Sequence, residues 1–258
     1  MCDNEVMWRL YLTCLLFLVL FPAQALSNDE WCKRDAPPEI KIVPIEKQTM
    51  FDNSLSFIQL SAKETDTINP YGHDSTSFTF GLAQREFSLD QSTSLKYLNR
   101  TDTNQGCLWY DKITVDVELN PKIYIAREYP PNSCQYKEVM RHEKEHLNVD
   151  RQVTNKYLRI LGDYLLKAVD AEDKYGPYDL ARQDEIAEKM QKRLADITRQ
   201  VNVLMEKERA AKQAEVDSLG NYEKSGKYIR EVCDKSHPET ATARDHMLRA
   251  YLLSRKPR

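Results

Sequence analysis

Residues 39 to about 129 carry a period of two. Ile40-Lys41-Ile42-Val43-Pro44-Ile45, Ser77-Phe78-Thr79-Phe80 and Ile113-Thr114-Val115-Asp116-Val117-Glu118-Leu119 set apolar or β-branched residues at alternate positions, the pattern of half-buried strands. Asn120-Pro121 reads as a turn and Lys122-Ile123-Tyr124-Ile125-Ala126 as a returning strand, so 112–128 is predicted to be a hairpin. The stretches 69–74 and 99–106 are polar and turn-rich, and read as loops.

After Cys134 the period changes. Val139, His146, Asp150, Val153, Tyr157, Leu161, Tyr164 and Ala168 fall at three-and-four spacing, predicting an amphipathic helix, and Pro130-Pro131-Asn132-Ser133 supplies turn chemistry before it. Gly162 weakens this helix by about 1 kcal/mol relative to alanine and marks a candidate break. Tyr175-Gly176-Pro177 ends the run. A second helix is predicted from about 178 to 218, with the stripe Ile186, Met190, Leu194, Ile197, Val201, Leu204 and Ala211. The short link between the two predicts antiparallel packing. The stretch from Asp234 holds Pro238 and the basic end Arg255-Lys256-Pro257-Arg258, and reads as a loose tail with one short helix. The expected fold class is therefore α+β. A small N-terminal β-rich region (26–135) precedes a long antiparallel helical hairpin (136–233) and a C-terminal tail (234–258).

The first 25 residues stand apart. Tyr11 to Phe21 is an apolar run too short to span a bilayer comfortably, and Pro22 and Ala23-Gln24-Ala25 follow it, so a secretory signal peptide cleaved after Ala25 is predicted. Export to an oxidising compartment gives the cysteines a meaning. Cys2 and Cys14 leave with the signal, and Cys32, Cys107, Cys134 and Cys233 remain. An even number in an oxidising compartment predicts two disulfides with three possible pairings. The favoured one joins Cys107 to Cys134 and Cys32 to Cys233. No later segment reads as a membrane span. Lysine plus arginine number 37 against 40 aspartate plus glutamate, a net charge of −3, which lacks the basic excess of a nucleic-acid binder. Oligomeric state is left open.

The candidate chemistry lies in His142-Glu143-Lys144-Glu145-His146, an HExxH pentad near the start of the first long helix. Histidines four apart share one helix face, so both rings reach one metal ion, and Glu143 is placed to take a proton from a metal-activated water. Zinc in hydrolases takes three protein ligands. Asp150 lies two turns beyond His142, too far to ligate with both histidines, and is expected to bond the outer ring nitrogen of His146. Antiparallel packing places Glu208, and two turns on Glu215, near the histidines, and a carboxylate on an apolar stripe is costly unless paired or metal-bound. Asp217 and Tyr222 lie just past the second helix. Glu208 and Glu215 are the expected further metal ligands, Asp217 a supporting residue, and Tyr222 a donor to the tetrahedral intermediate. The sequence does not decide among these. His73, His237 and His246 receive no role.

Ile123-Tyr124-Ile125-Ala126-Arg127-Glu128, Cys134, the HEKEH pentad and the aspartate-containing segment after the second helix resemble bacterial secreted proteins regarded as zinc peptidases of unknown function, with gluzincin-like folds. The resemblance covers roughly residues 107–223, and HExxH is its only specific motif. One such family carries Tyr-Asp-x-x-Thr-x-His-Gly after its second helix. Val216-Asp217-Ser218-Leu219-Gly220-Asn221-Tyr222 matches it only at Asp217, with tyrosine where that histidine would stand. Charged residues flank the pentad (Arg141, Lys144, Glu145), and the glycine and third histidine of metzincins are missing. Together these imply an exported zinc-dependent hydrolase, a peptidase or amidase acting on peptide or protein with Glu143 as general base. The alternative is a non-catalytic periplasmic binding or assembly protein with a degenerate zincin-like hairpin.

Overall fold

The computed structural model describes residues 31–63, 78–172 and 174–254. Its organising element is β4 (Gln105–Ile125), a 21-residue strand. β3 (Gly81–Arg100) pairs antiparallel with it along its whole length, across a turn in which Asn104 takes the left-handed conformation (φ 52°). Because β3 occupies one edge throughout, the remaining strands lie in tandem on the other. These are β1 (Glu39–Glu46) and β2 (Met50–Asp52), both parallel to β4, and β5 (Tyr175–Asp179), antiparallel to its first residues. β4 is consequently buried along much of its length, as a fully flanked central strand requires.

Two long helices cover this sheet. Helix α2 (Cys134–Ala171) follows α1 (Phe57–Ser61) in chain order, and α3 (Gln183–Val216) follows β5. The Ser133 side chain accepts the Tyr136 N–H and fixes where α2 starts. Leu108, Tyr110, Ile113, Val115 and Val117 of β4 pack with Leu158, Leu161 and Leu165 of α2 and with Ile186, Met190, Leu194 and Val201 of α3. Each fully buried leucine or isoleucine here contributes about 1.5–3 kcal/mol. The Tyr110 hydroxyl, carried into this core, donates to the Met190 carbonyl at 3.1 Å, which offsets its desolvation. Past α3 come α4 (Leu219–Tyr228), a π turn at Ile229–Cys233, a helical turn at Asp234–Ser236 and α5 (Pro238–Ser254).

Several expectations are corrected. The fold is α/β-like: β5 lies between the long helices in sequence and joins the sheet, and both helices pack on that sheet, so a β-rich region followed by a separate antiparallel helical hairpin is not what forms. The predicted 112–128 hairpin is instead one uninterrupted strand. Pro121 needs no ladder N–H where it pairs with Arg85, and Asn120-Pro121 is not a turn. The real hairpin turns within 99–106. Phe78 to Phe80 form no strand, and β3, unpredicted, begins just after them. Gly162 does not break α2; it lies inside the continuous helix, where it faces Ile42 of β1. The C-terminal stretch carries the 17-residue α5, whose Leu248 and Tyr251 pack near Phe57 and Phe78.

Two disulfides are present, but they join Cys32 to Cys107 and Cys134 to Cys233. The favoured pairing fails for a geometric reason. Cys107 stands near the start of β4 and Cys134 beyond its end, and at about 3.3 Å per residue the strand separates them by roughly 60 Å. Among the described residues no helix is long and apolar enough to cross a membrane. The predicted signal peptide with Cys2 and Cys14, the 69–74 loop with His73, and the basic end at 255–258 lie outside the described residues.

Candidate metal centre

Three elements meet at the pentad. His142 and His146 project from one face of α2, and Asp217 is the C-cap of α3, one i+4 step beyond the buried row Val201, Met205, Arg209 and Gln213. Asn221 secures this helix end by donating its side-chain amide to the carbonyls of Glu215 and Val216. His142 Nε2 lies 3.2 Å and His146 Nε2 3.0 Å from Asp217 Oδ1, and the two ring nitrogens are 3.3 Å apart. Zinc–nitrogen and zinc–oxygen bonds of about 2.0–2.1 Å in a tetrahedron give ligand-to-ligand edges of about 3.3 Å. The triangle therefore has the dimensions of three corners of such a site. The group is the one set of His, Cys, Asp and Glu found among the described residues whose donors converge closely enough to hold a metal ion.

The surroundings orient these donors. His146 Nδ1 faces Gln213 Oε1 at 2.5 Å. The Gln213 amide nitrogen donates to the His146 carbonyl (3.1 Å) and to Asp150 Oδ1 (2.8 Å). Asp150 also accepts from Arg209 Nε at 2.7 Å. Burial alone would disfavour the imidazolium, yet the hydrogen bond to Asp217 and the nearby Glu143 and Asp217 charges push His146 up to about 9. The facing carboxylates thus favour positive charge on this ring, whether a proton or a metal ion carries it.

Glu143 is buried, and its carboxylate accepts the backbone N–H of Ala83 on β3. Burial pushes its pKa up, Asp217 adds to the rise, and the two histidines and Ala83 oppose it without cancelling it. β3 reaches Glu143 because its first residue is glycine. A Cβ at Gly81 would fall closer than 3.0 Å to Glu143 Oε1 and Val139 Cγ1. The Tyr222 ring meets His142 edge-on, with centroids 5.5 Å apart. Ser225 of α4 bonds Glu138 and Arg141 of α2 and so holds α4 across this end of the site.

The structure thus brings together His142, Glu143, His146, Asp217 and Tyr222. Glu208 is elsewhere, where it accepts from Lys156 Nζ at 2.5 Å and Tyr157 hydroxyl at 3.0 Å. Glu215 is exposed. Both follow from a stripe drawn through Leu204 and Ala211, which are exposed, when the buried row beyond Val201 runs in steps of four through Met205, Arg209 and Gln213. Asp150 does not touch His146 directly as expected; Gln213 stands between them. Gln213, Arg209, Arg85 and Gly81 went unread. The signal for the first two was the unbroken four-residue spacing from Val201 to Asp217.

No protein-family model matches this chain, nor does any curated protein or any solved structure.

Proposed function

We propose that this chain is an exported zinc-dependent hydrolase, a peptidase or amidase. The observation that carries the reading is the convergence of His142 Nε2, His146 Nε2 and Asp217 Oδ1 at tetrahedral-edge spacing beside a buried glutamate. Zinc held by this donor set supplies Lewis acidity: it acidifies water and polarises a carbonyl. Glu143, with its proton affinity raised by burial, takes a proton from water and returns one to the leaving amine. Tyr222, whose ring packs edge-on against His142, would supply a hydrogen bond to a developing oxyanion. His146 keeps its ring fixed through Gln213 while Asp217 balances the charge. Two disulfides support an oxidising compartment, in keeping with the apolar run before Ala25 and a periplasmic or secreted location. The substrate class is peptide or protein.

One observation favours a second reading, a binding or assembly protein with a structural metal and no turnover. The site is nearly closed: the side chains of His142 and Asp217 are 12% and 5% exposed, and Glu143 is tied to a strand N–H. Glu143→Gln separates the two readings, with zinc content and cleavage of a fluorogenic peptide library measured on the mature protein. The hydrolase reading predicts retained zinc and lost cleavage. Unchanged behaviour, with no cleavage in either protein, supports the second reading. Absence of stoichiometric zinc in the unmutated protein overturns both.

A further inference from the structure

Four elements stand around the candidate metal centre, and three of them are fixed. α2 and α3 send long buried rows into the core, and β3 is paired with β4 along its length. α4 differs. None of its ten residues is buried, although it lies across one end of the site with the Tyr222 ring against His142. Both ends of this segment are pinned. Asn221 donates to the Glu215 and Val216 carbonyls beside Asp217. Past the other end, Ile229 packs on the cluster that holds Tyr129 and Val139, and Cys233 is bonded to Cys134 at the start of α2. Between the pins, Ser225 latches α4 to α2. Its hydroxyl donates to Glu138 Oε1 at 2.5 Å and accepts from Arg141 Nη2 at 3.2 Å. Gly226, next to the latch, is a poor residue for a helix interior.

We propose that residues 222–228 form a gate over the metal centre. The Ser225 latch releases, the segment uncoils between its pins, substrate enters, and re-closure returns Tyr222 to His142. The proposal rests on the hydrolase reading of this site, which needs a route for a peptide to donors that are nearly covered: the side chains of His142, His146 and Asp217 are 12%, 11% and 5% exposed. Uncoiling supplies that route. Seven helical residues span about 10 Å, and the same residues extended reach about 23 Å, so slack appears without moving Asp217 or Cys233. Of the surrounding elements α4 opens at least cost, because local opening is easiest where few apolar contacts are lost. The disulfide makes the gate a strap rather than a free end, and limits how far it can leave the site.

Two alanine substitutions have opposite effects under this proposal. Both raise the intrinsic helix preference of the segment. Gly226→Ala does little else, because the place its Cβ would take meets nothing closer than the end of the Arg230 side chain at 3.2 Å, so opening should become about 5-fold rarer. Ser225→Ala also removes the latch, whose bond to a carboxylate outweighs the gain in helix preference, so opening should become about 10-fold more frequent. His142 reports the opening on the full metal-free mature protein, since its carbethoxylation by diethyl pyrocarbonate speeds up when Tyr222 leaves the ring. The rate is read by mass spectrometry and normalised to the exposed His237 and His246, which lie outside the gate. Modification of His142 is expected about 10-fold faster in Ser225→Ala and about 5-fold slower in Gly226→Ala, in step with hydrogen exchange of the 222–228 amides. Equal His142 rates in the three proteins overturn the gate, and so does slower modification in both variants, which is what helix preference alone gives. If the unmutated protein binds no zinc, the metal reading fails, while the His142 rates of the metal-free protein still decide whether α4 opens.

Discussion

Gly81→Ala is the smallest change that presses on the candidate general base from outside the metal ligands. Its methyl carbon would lie closer than 3.0 Å to Glu143 Oε1 and Val139 Cγ1, where atoms at rest keep about 3.5–4.0 Å. β3 and α2 must then part by roughly 1 Å, or Glu143 must leave the Ala83 N–H. Overpacking of this kind costs about 1–3 kcal/mol, and the stiffer unfolded chain offsets about 0.4–1 kcal/mol. The expected net loss is about 1–2 kcal/mol, a fall in Tm of about 2–8 °C for a chain of this size. No ligand atom is touched, so zinc stoichiometry should hold. Under the hydrolase reading, misplacing the base by about 1 Å lowers the cleavage rate about 100-fold. Differential scanning fluorimetry, zinc analysis and the peptide assay read the three effects separately. An unchanged Tm with full cleavage would refute the close contact between strand and base, and with it the role given to Gly81.

Other outcomes follow from the same geometry. In the metal-free protein His146 stands at about 9 against about 6.5 unfolded. The His146–Asp217 pair thus stabilises fully below pH ~6.5 and loses its contribution, of order 3 kcal/mol, as pH rises through about 9. Under the zinc reading the metal would compete with that proton, so zinc affinity should climb about 50-fold from pH 7 to 9; a flat profile in chelator competition contradicts the pairing. Glu208→Gln should leave both zinc stoichiometry and Tm essentially untouched, because Glu208 serves only the partly exposed contact with Lys156 and Tyr157. Loss of zinc in that variant would restore Glu208 as a ligand. Replacing Cys134 and Cys233 by serine opens a closure spanning 99 residues and should cost about 2–4 kcal/mol in urea denaturation, with an unaltered midpoint arguing against the Cys134–Cys233 bond.

Short-range chemistry was readable in the residues and long-range pairing was not. Histidines at i and i+4 on a helix must share a face, and the turn at 130–133 fixed where that helix begins, so the pentad's geometry followed from spacing. Asp217 stood out as a carboxylate just beyond the second helix, but its choice over Glu208 hung on helix phase. Arg209 and Gln213 occupy the buried row, and long polar side chains do not advertise burial, so the phase was drawn through Leu204 instead. The length of β4 hid behind Asn120-Pro121, a turn signal that a strand tolerates where a proline sits without a ladder bond. β3 was overlooked because its half-buried face alternates Phe87 and Leu89 with the polar Gln91 and Thr93. The disulfide pairing depended on that strand's length and could not be settled before it.

The most direct test is X-ray absorption at the zinc edge on the mature protein, paired with Asp217→Ala. One zinc per chain bound by two imidazole nitrogens and a carboxylate oxygen is expected, with loss of that oxygen on substitution. Substoichiometric zinc, or an unaltered ligand shell in the Asp217→Ala protein, would contradict it.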